Sequence, residues 1–117
     1  MNYTKGLHII ADITTHDPQI LIKAEPFHQV LAASIDQLGL HSVGAVLHNF
    51  DTGGFTISVC LTESHICAHT WPEFGIVTLD IYLSNTYQVN DEKGRQLLEI
   101  CKDYFNTAHI KVQEIFR

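Results

Sequence analysis

Basic side chains are scarce in this chain. Seven lysines and arginines stand against thirteen aspartates and glutamates, for a formal charge of −6. Nucleic-acid binding rests on clustered cations that neutralise phosphates, so no nucleic-acid partner is expected. Long apolar runs are missing too, and none approaches the roughly 20 residues that cross a bilayer as a helix. Met1-Asn2-Tyr3-Thr4-Lys5-Gly6 has neither the basic start nor the apolar stretch of a secretory leader. No membrane association is expected. Cysteine is sparse and odd in number, at Cys60, Cys67 and Cys101, without the spacing of a disulfide scaffold. Reduced thiols in a cytoplasmic protein are the expectation. Repeats, low-complexity stretches and linkers are absent, and 117 residues suffice for one modest core. The chain is expected to be a single domain, residues 1–117.

What is present is periodicity. Leu7 to Ile13 reads as a first strand, stopped by the polar cluster Thr14 to Asp17. Pro26 suits the first turn of a helix, where a missing N–H costs nothing. Phe27, Val30, Leu31, Ile35 and Leu38 then recur at helical spacing, and Gly39 supplies a stop. Residues 41–49 read as a second strand, followed by the turn Asp51-Thr52-Gly53-Gly54, whose glycines permit positive φ. In 55–62, Phe55, Ile57, Val59 and Leu61 alternate with Thr56, Ser58, Cys60 and Thr62. In 76–84, Val77, Leu79, Ile81 and Leu83 alternate with Thr78, Asp80, Tyr82 and Ser84. Asn90 fits the N-cap of a second helix with Leu97, Leu98, Cys101, Tyr104 and Phe105 on its buried stripe. Residues 110–113 suggest a closing strand.

This order predicts an α+β fold: a two-layer α/β sandwich, a mostly antiparallel sheet with two helices on one face. The other face is polar but poor in charge. Sheets are therefore expected to pair across it in a homodimer.

Chemistry concentrates at Glu63-Ser64-His65-Ile66-Cys67-Ala68-His69-Thr70-Trp71-Pro72-Glu73-Phe74-Gly75. If the alternation of 55–62 continues, Ser64 shares a face with Thr56, Ser58 and Cys60. A serine hydroxyl is a weak nucleophile unless a neighbour takes its proton and a donor stabilises the oxyanion. His65 and His69 are near for the first task, and Thr56 or a backbone N–H for the second. Spacing alone leaves open a strand-end serine beside two hydrogen-bonded histidines. His65, Cys67 and His69 also alternate, as zinc ligands on one strand face would. No fourth ligand is evident, so no metal is expected.

Taken with Gly6 to Asp12, His48-Asn49-Phe50 and the glycine turn, residues 63–75 resemble the small prokaryotic S-adenosylmethionine decarboxylase proenzymes, a pyruvoyl-dependent family. The likeness spans most of the chain and fades in its C-terminal third. It implies that the chain cuts itself between Glu63 and Ser64 into a β chain, 1–63, and an α chain, 64–117. Ser64 then becomes a pyruvoyl cofactor, whose ketone condenses with the α-amino group of S-adenosylmethionine and takes up the electrons left by departing CO₂. The resemblance further implies a product that feeds polyamine (spermidine) biosynthesis, and with the sheet pairing expected above, the working form is expected to be a homodimer of cleaved αβ units.

The resemblance also assigns roles. His69 matches the histidine that assists processing by proton transfer, Phe50 the aromatic that stacks on adenine, and Glu73 the acid that binds ribose hydroxyls. Thr56 stands where relatives usually carry a serine, and Ser84 where they carry a catalytic cysteine that returns a proton to the substrate carbon. A hydroxyl is a far weaker acid than a thiol of pKa about 8.5. Ser84 orienting a water, Cys60 taking over, or a different substrate would each account for the change. The alternatives to S-adenosylmethionine are arginine or ornithine as substrate, or a non-catalytic homologue.

Overall fold

Four of the sheet's strands alternate cleanly between apolar and polar residues, and that alternation decides what the helices cover. The structure, a computed structural model, describes residues 2–117. The elements are β1 (Leu7–Thr15), a 3-10 turn (Pro18–Leu21), α1 (Ala24–Gln37), β2 (Ser42–Asn49), β3 (Phe55–Leu61), β4 (His65–Trp71), β5 (Ile76–Leu83), α2 (Asp91–Tyr104) and β6 (Thr107–Phe116). One antiparallel six-stranded sheet runs in the order β2-β3-β4-β5-β1-β6. The two-layer α+β fold is as expected.

One face of the sheet is the core. Ile9, Ala11 and Ile13 of β1, Ile57 and Val59 of β3, Ile66 and Ala68 of β4, and Leu79 and Ile81 of β5 are all buried. Phe27, Leu31 and Ile35 of α1 and Leu97, Leu98 and Cys101 of α2 close over them. The Phe27 ring is central: its centroid lies 4.7 Å from Phe105, 5.2 Å from Tyr104 and 6.1 Å from Phe55, tying both helices to β3. Burial removes the Cys101 thiol from easy ionisation, pushing its pKa up to about 12.

The opposite face carries no helix. By strand register it presents His8 from β1, Ser58 and Cys60 from β3, His65, Cys67 and His69 from β4, and Thr78, Asp80 and Tyr82 from β5. No helix of the described residues is long and apolar enough to cross a membrane.

Several expectations change in detail. β1 continues through Thr14 and Thr15, which stay paired to β6 across a register shift. Pro26 is the third residue of α1, within its first turn as expected. Val30, read as core, is only half-buried; Ser34 takes the buried place, its hydroxyl donating to the Val30 carbonyl at 2.8 Å. Residues 65–71 form a full central strand, and β6 is ten residues long where four were read. Asn90 does sit at the N-cap of α2, but its side chain makes no capping bond. Gly53 and Gly54 adopt φ of 96° and 100°, as the turn required.

Phe27→Ala should destabilise the fold by about 3–5 kcal/mol, the usual cost of emptying a buried aromatic site. Chemical denaturation would measure it, and a loss below 1 kcal/mol would contradict the central packing role.

Candidate active site

Ser64 belongs to a hairpin, not to a strand face. β3 ends at Leu61, and the Leu61 N–H donates to the Ser64 carbonyl at 2.9 Å across the Thr62-Glu63-Ser64 connection. The chain reverses there, so the alternation of residues 55–62 does not carry through to residue 64. Ser64 is half-buried, and its Oγ accepts a hydrogen bond from the Ser84 backbone N–H at 3.0 Å.

Ser84 follows directly on β5 and is itself held on several sides. Its Oγ shares a 2.8 Å hydrogen bond with Thr86 Oγ1, accepts from the Thr86 N–H at 3.1 Å, and reaches Glu63 Oε2 only at 3.5 Å. Asn90 Nδ2 donates to the Ser84 carbonyl at 2.8 Å. Asn85 braces the same loop: its amide donates to the Lys5 carbonyl and to Asp91, and its Oδ1 accepts from the Asn90 N–H. A cavity of about 300 Å³ opens here, lined by Thr62, Glu63, Ser64, Ser84, Tyr87 and Asn90 among others. Asn90 Oδ1 is buried at this place without any hydrogen-bond partner. Such buried acceptors are rarely left unpaired.

A second group forms at the other end of β4. Register pairs His69 with Thr56, and Thr56 Oγ1 lies 2.9 Å from His69 Nδ1. Phe50, Thr56, His69, Trp71 and Glu73 line a second cavity of about 240 Å³. The glycine turn makes this cavity: a Cβ on Gly54 would sit 3.0 Å from Pro72 Cδ and 3.1 Å from the Thr70 carbonyl. Only glycine lets the Asp51–Gly54 turn press against Trp71-Pro72 and bring Phe50 beside His69. The Phe50 ring is exposed and packs edge-on against His48, with centroids 4.9 Å apart.

One chain thus gathers Glu63, Ser64 and Ser84 at one end of the sheet and Phe50, Thr56, His69 and Glu73 at the other. It does not join them. Five residue steps along extended chain lead from Ser64 to His69, roughly 16 Å.

The zinc triplet read from alternation does not assemble. Cys67 turns to Ser58, 3.3 Å away, His69 to Thr56, and His65 towards His8, whose ring centroid is 6.1 Å distant. Burial first, and the neighbouring His8 second, hold the His65 pKa below its ordinary value. Sequence reading missed Thr86 and Asn90 as supports of Ser84, and missed His8 and Asp80 as neighbours of His65. Strand alternation did place Asp80 on the open face. Nothing local signals that His8, near the start of β1, lies in the same row as His65.

Residues 7–117 match the family described as S-adenosylmethionine decarboxylase. The chain is 38% identical over 77 residues to the S-adenosylmethionine decarboxylase proenzyme of Archaeoglobus fulgidus, 66% of this chain and 69% of that one. It is 30% identical over 102 residues to the proenzyme of Picrophilus torridus, 87% of this chain and 78% of the other. The crystal structure of the adenosylmethionine decarboxylase from Aquifex aeolicus superposes with a TM-score of 0.85 at 28% identity, covering 99% of this chain and 92% of that one. The match takes in every strand and both helices, including the C-terminal third where the motif likeness fades. With a hairpin serine at its centre and this fold around it, the chain belongs to the S-adenosylmethionine decarboxylase family.

Proposed function

We propose that this chain is a pyruvoyl-dependent S-adenosylmethionine decarboxylase, a cytoplasmic enzyme of polyamine biosynthesis that activates itself by cleavage between Glu63 and Ser64. The observation that carries this reading is the Ser64 hydroxyl, placed at the end of a tight hairpin and held by the Ser84 N–H at 3.0 Å.

In the first stage Ser64 Oγ attacks the Glu63 carbonyl carbon, turning the peptide link into an ester. The attacking oxygen loses a proton and the carbonyl oxygen gains charge, so a base and a donor are needed. The Ser84 N–H orients the attacking oxygen. Elimination of the ester frees residues 1–63, and the former Ser64 oxygen stays with the new Glu63 carboxylate, beside its original donor. The dehydroalanine left at residue 64 tautomerises to an imine, and water hydrolyses that imine, releasing ammonia and supplying the ketone oxygen. The pyruvoyl ketone supplies the electron sink for loss of CO₂ from an α-amino acid. The site fits such a group: Ser64 lines a cavity of about 300 Å³ together with Glu63, Ser84 and Tyr87, so a substrate has room to reach residue 64.

Substrate choice rests on the second cavity. An aromatic face at Phe50 and a carboxylate at Glu73, with Trp71 beside them, suit stacking on a base and acceptance from paired ribose hydroxyls. Arginine or ornithine would have no use for such a platform, so S-adenosylmethionine is the favoured substrate. Ser84 replaces the thiol of relatives as the group that returns a proton to the substrate carbon. Its 2.8 Å bond to Thr86 makes it a relay rather than a strong acid.

The distance between the two groups supports a homodimer. Turning a second chain about a two-fold axis over the bare sheet face lays its His69 end above the first chain's Ser64 end, and the reverse. Each site then draws Ser64 from one chain and Phe50, Thr56, His69 and Glu73 from its partner.

Intact mass spectrometry of the purified protein should show two species, 1–63 and 64–117, the latter lacking ammonia. Ser64→Ala should give one full-length mass, and His69→Ala should slow cleavage about 100-fold. A single full-length mass for the unaltered, folded protein overturns the reading. Co-folding Ser64→Ala with His69→Ala chains should restore cleavage of the His69→Ala chain, because one hybrid site is complete; no restoration counts against shared sites. Ser84→Cys should raise turnover of S-adenosylmethionine roughly tenfold, and unchanged turnover would remove Ser84 from the proton path.

A further inference from the structure

Among the described residues, His8, His65 and Asp80 form the one group of ligand-type side chains whose donor atoms converge, all within 4.8 Å of one another. They come from three neighbouring strands. Register sets His8 of β1 and His65 of β4 on either side of Tyr82 in β5, with Asp80 one step along the same face of β5. His8 Nε2 lies 3.0 Å from Asp80 Oδ2. The His8 side chain is 11% exposed and that of Asp80 44%. One wall of the group is therefore packed and the other open. The group belongs to neither cavity described above.

We propose that His8, His65 and Asp80 bind one divalent transition-metal ion of the zinc or cobalt type. Two imidazole nitrogens and one carboxylate oxygen are a donor set that such ions take, and the remaining positions face the side of the sheet that the proposed homodimer would cover. Bonds of about 2.1 Å put neighbouring donors about 3.0 Å apart in an octahedral shell and about 3.4 Å apart in a tetrahedral one. The His8–Asp80 edge already has the first length. With all three donors within 4.8 Å of one another, closure to a tetrahedral shell asks for at most about 1.4 Å of side-chain movement. Strands on a shared ladder hold the Cα positions fixed while the ring of His65 turns.

The site has a consequence that rests on the proposed cleavage. His8 lies in fragment 1–63, whereas His65 and Asp80 lie in fragment 64–117. A bound ion would tie the two fragments together one residue from the new chain end at position 64, and would do so without touching residue 64 itself.

The test is a titration of chelator-treated protein with Co²⁺, followed by visible absorption, in the unaltered chain and in Ser64→Ala. One saturating equivalent per chain is expected in both, so the result stands whether or not cleavage occurs. His8→Asn and Asp80→Asn, each near in shape to the original, should weaken binding at least about tenfold, while Cys67→Ser, on the strand position opposite Asp80, should leave it unchanged. In the cleaved protein, Zn²⁺ should raise the urea midpoint, and the Asp80→Asn variant should lose that gain. Absence of saturable binding, equal affinity in the His8 and Asp80 variants, or loss of binding in Cys67→Ser would each overturn the proposal.

Discussion

The register of β4 between β3 and β5 is the constraint on which everything else depends. Its period of two sends Ile66, Ala68 and Thr70 into the core and His65, Cys67 and His69 onto the open face. A slip of one residue would exchange those sets. Thr70 shows how the register is pinned. It is the one polar residue of β4 on the core side, and it is buried and satisfied, accepting from the Phe55 N–H at 2.9 Å and donating to the Leu21 carbonyl at 2.8 Å. Shifted by one, that hydroxyl would lose both partners. A buried hydroxyl left unpaired costs about 1–3 kcal/mol. The polar residue in the core thus fixes where the histidines on the other side must stand.

Pairs that depend on neighbouring residues were legible in the sequence, and pairs that depend on the sheet were not. Strict alternation in 55–62 and 76–84 gave two central strands and their buried faces because each residue's partner layer repeats every second position. The glycine turn was legible because only glycine takes those backbone angles without strain. Ser64 was misplaced because alternation says nothing about where a strand stops, and the hairpin reverses after Leu61. β6 was read too short because an edge strand has one paired side, so most of its residues are exposed and carry no clean pattern. His8 beside His65 is a contact across 57 positions, set by strand order alone.

The candidate site divides in the same way. The motif residues were each identified from the sequence, and each stands where a strand end or turn would put it. What the motif could not convey is that its two halves point away from each other. The seven extended residues of β4, His65–Trp71, span about 23 Å, and they set the serine before the strand apart from the glutamate in the turn after it. On the proposed reading the bare polar face of the sheet would resolve this, since a face with no helix and little charge gains by being covered. Serine at position 84 belongs to the same logic. Its backbone N–H reaches Ser64 Oγ whatever its side chain, so on the proposed reading the position keeps a part in cleavage whichever side chain it carries.

Cutting a protein in the middle of its sheet should loosen it, and the topology shows why the proposed cut would be tolerated. The scissile bond lies in a hairpin connection, so no ladder bond is broken with it. On the proposed reading, fragment 1–63 holds β1, α1, β2 and β3, and fragment 64–117 holds β4, β5, α2 and β6. The strand order places β1 of the first fragment between β5 and β6 of the second. Parting the fragments would therefore break three strand interfaces, β3 with β4, β5 with β1, and β1 with β6. It would also open the core at Phe27, which packs on Phe105 from the other fragment. The chain ends released at positions 63 and 64 gain freedom, while the framework that holds Ser84, Asn90 and the strand register is left as it was. The fold is thus arranged so that the backbone can be severed at a hairpin connection without breaking a strand ladder.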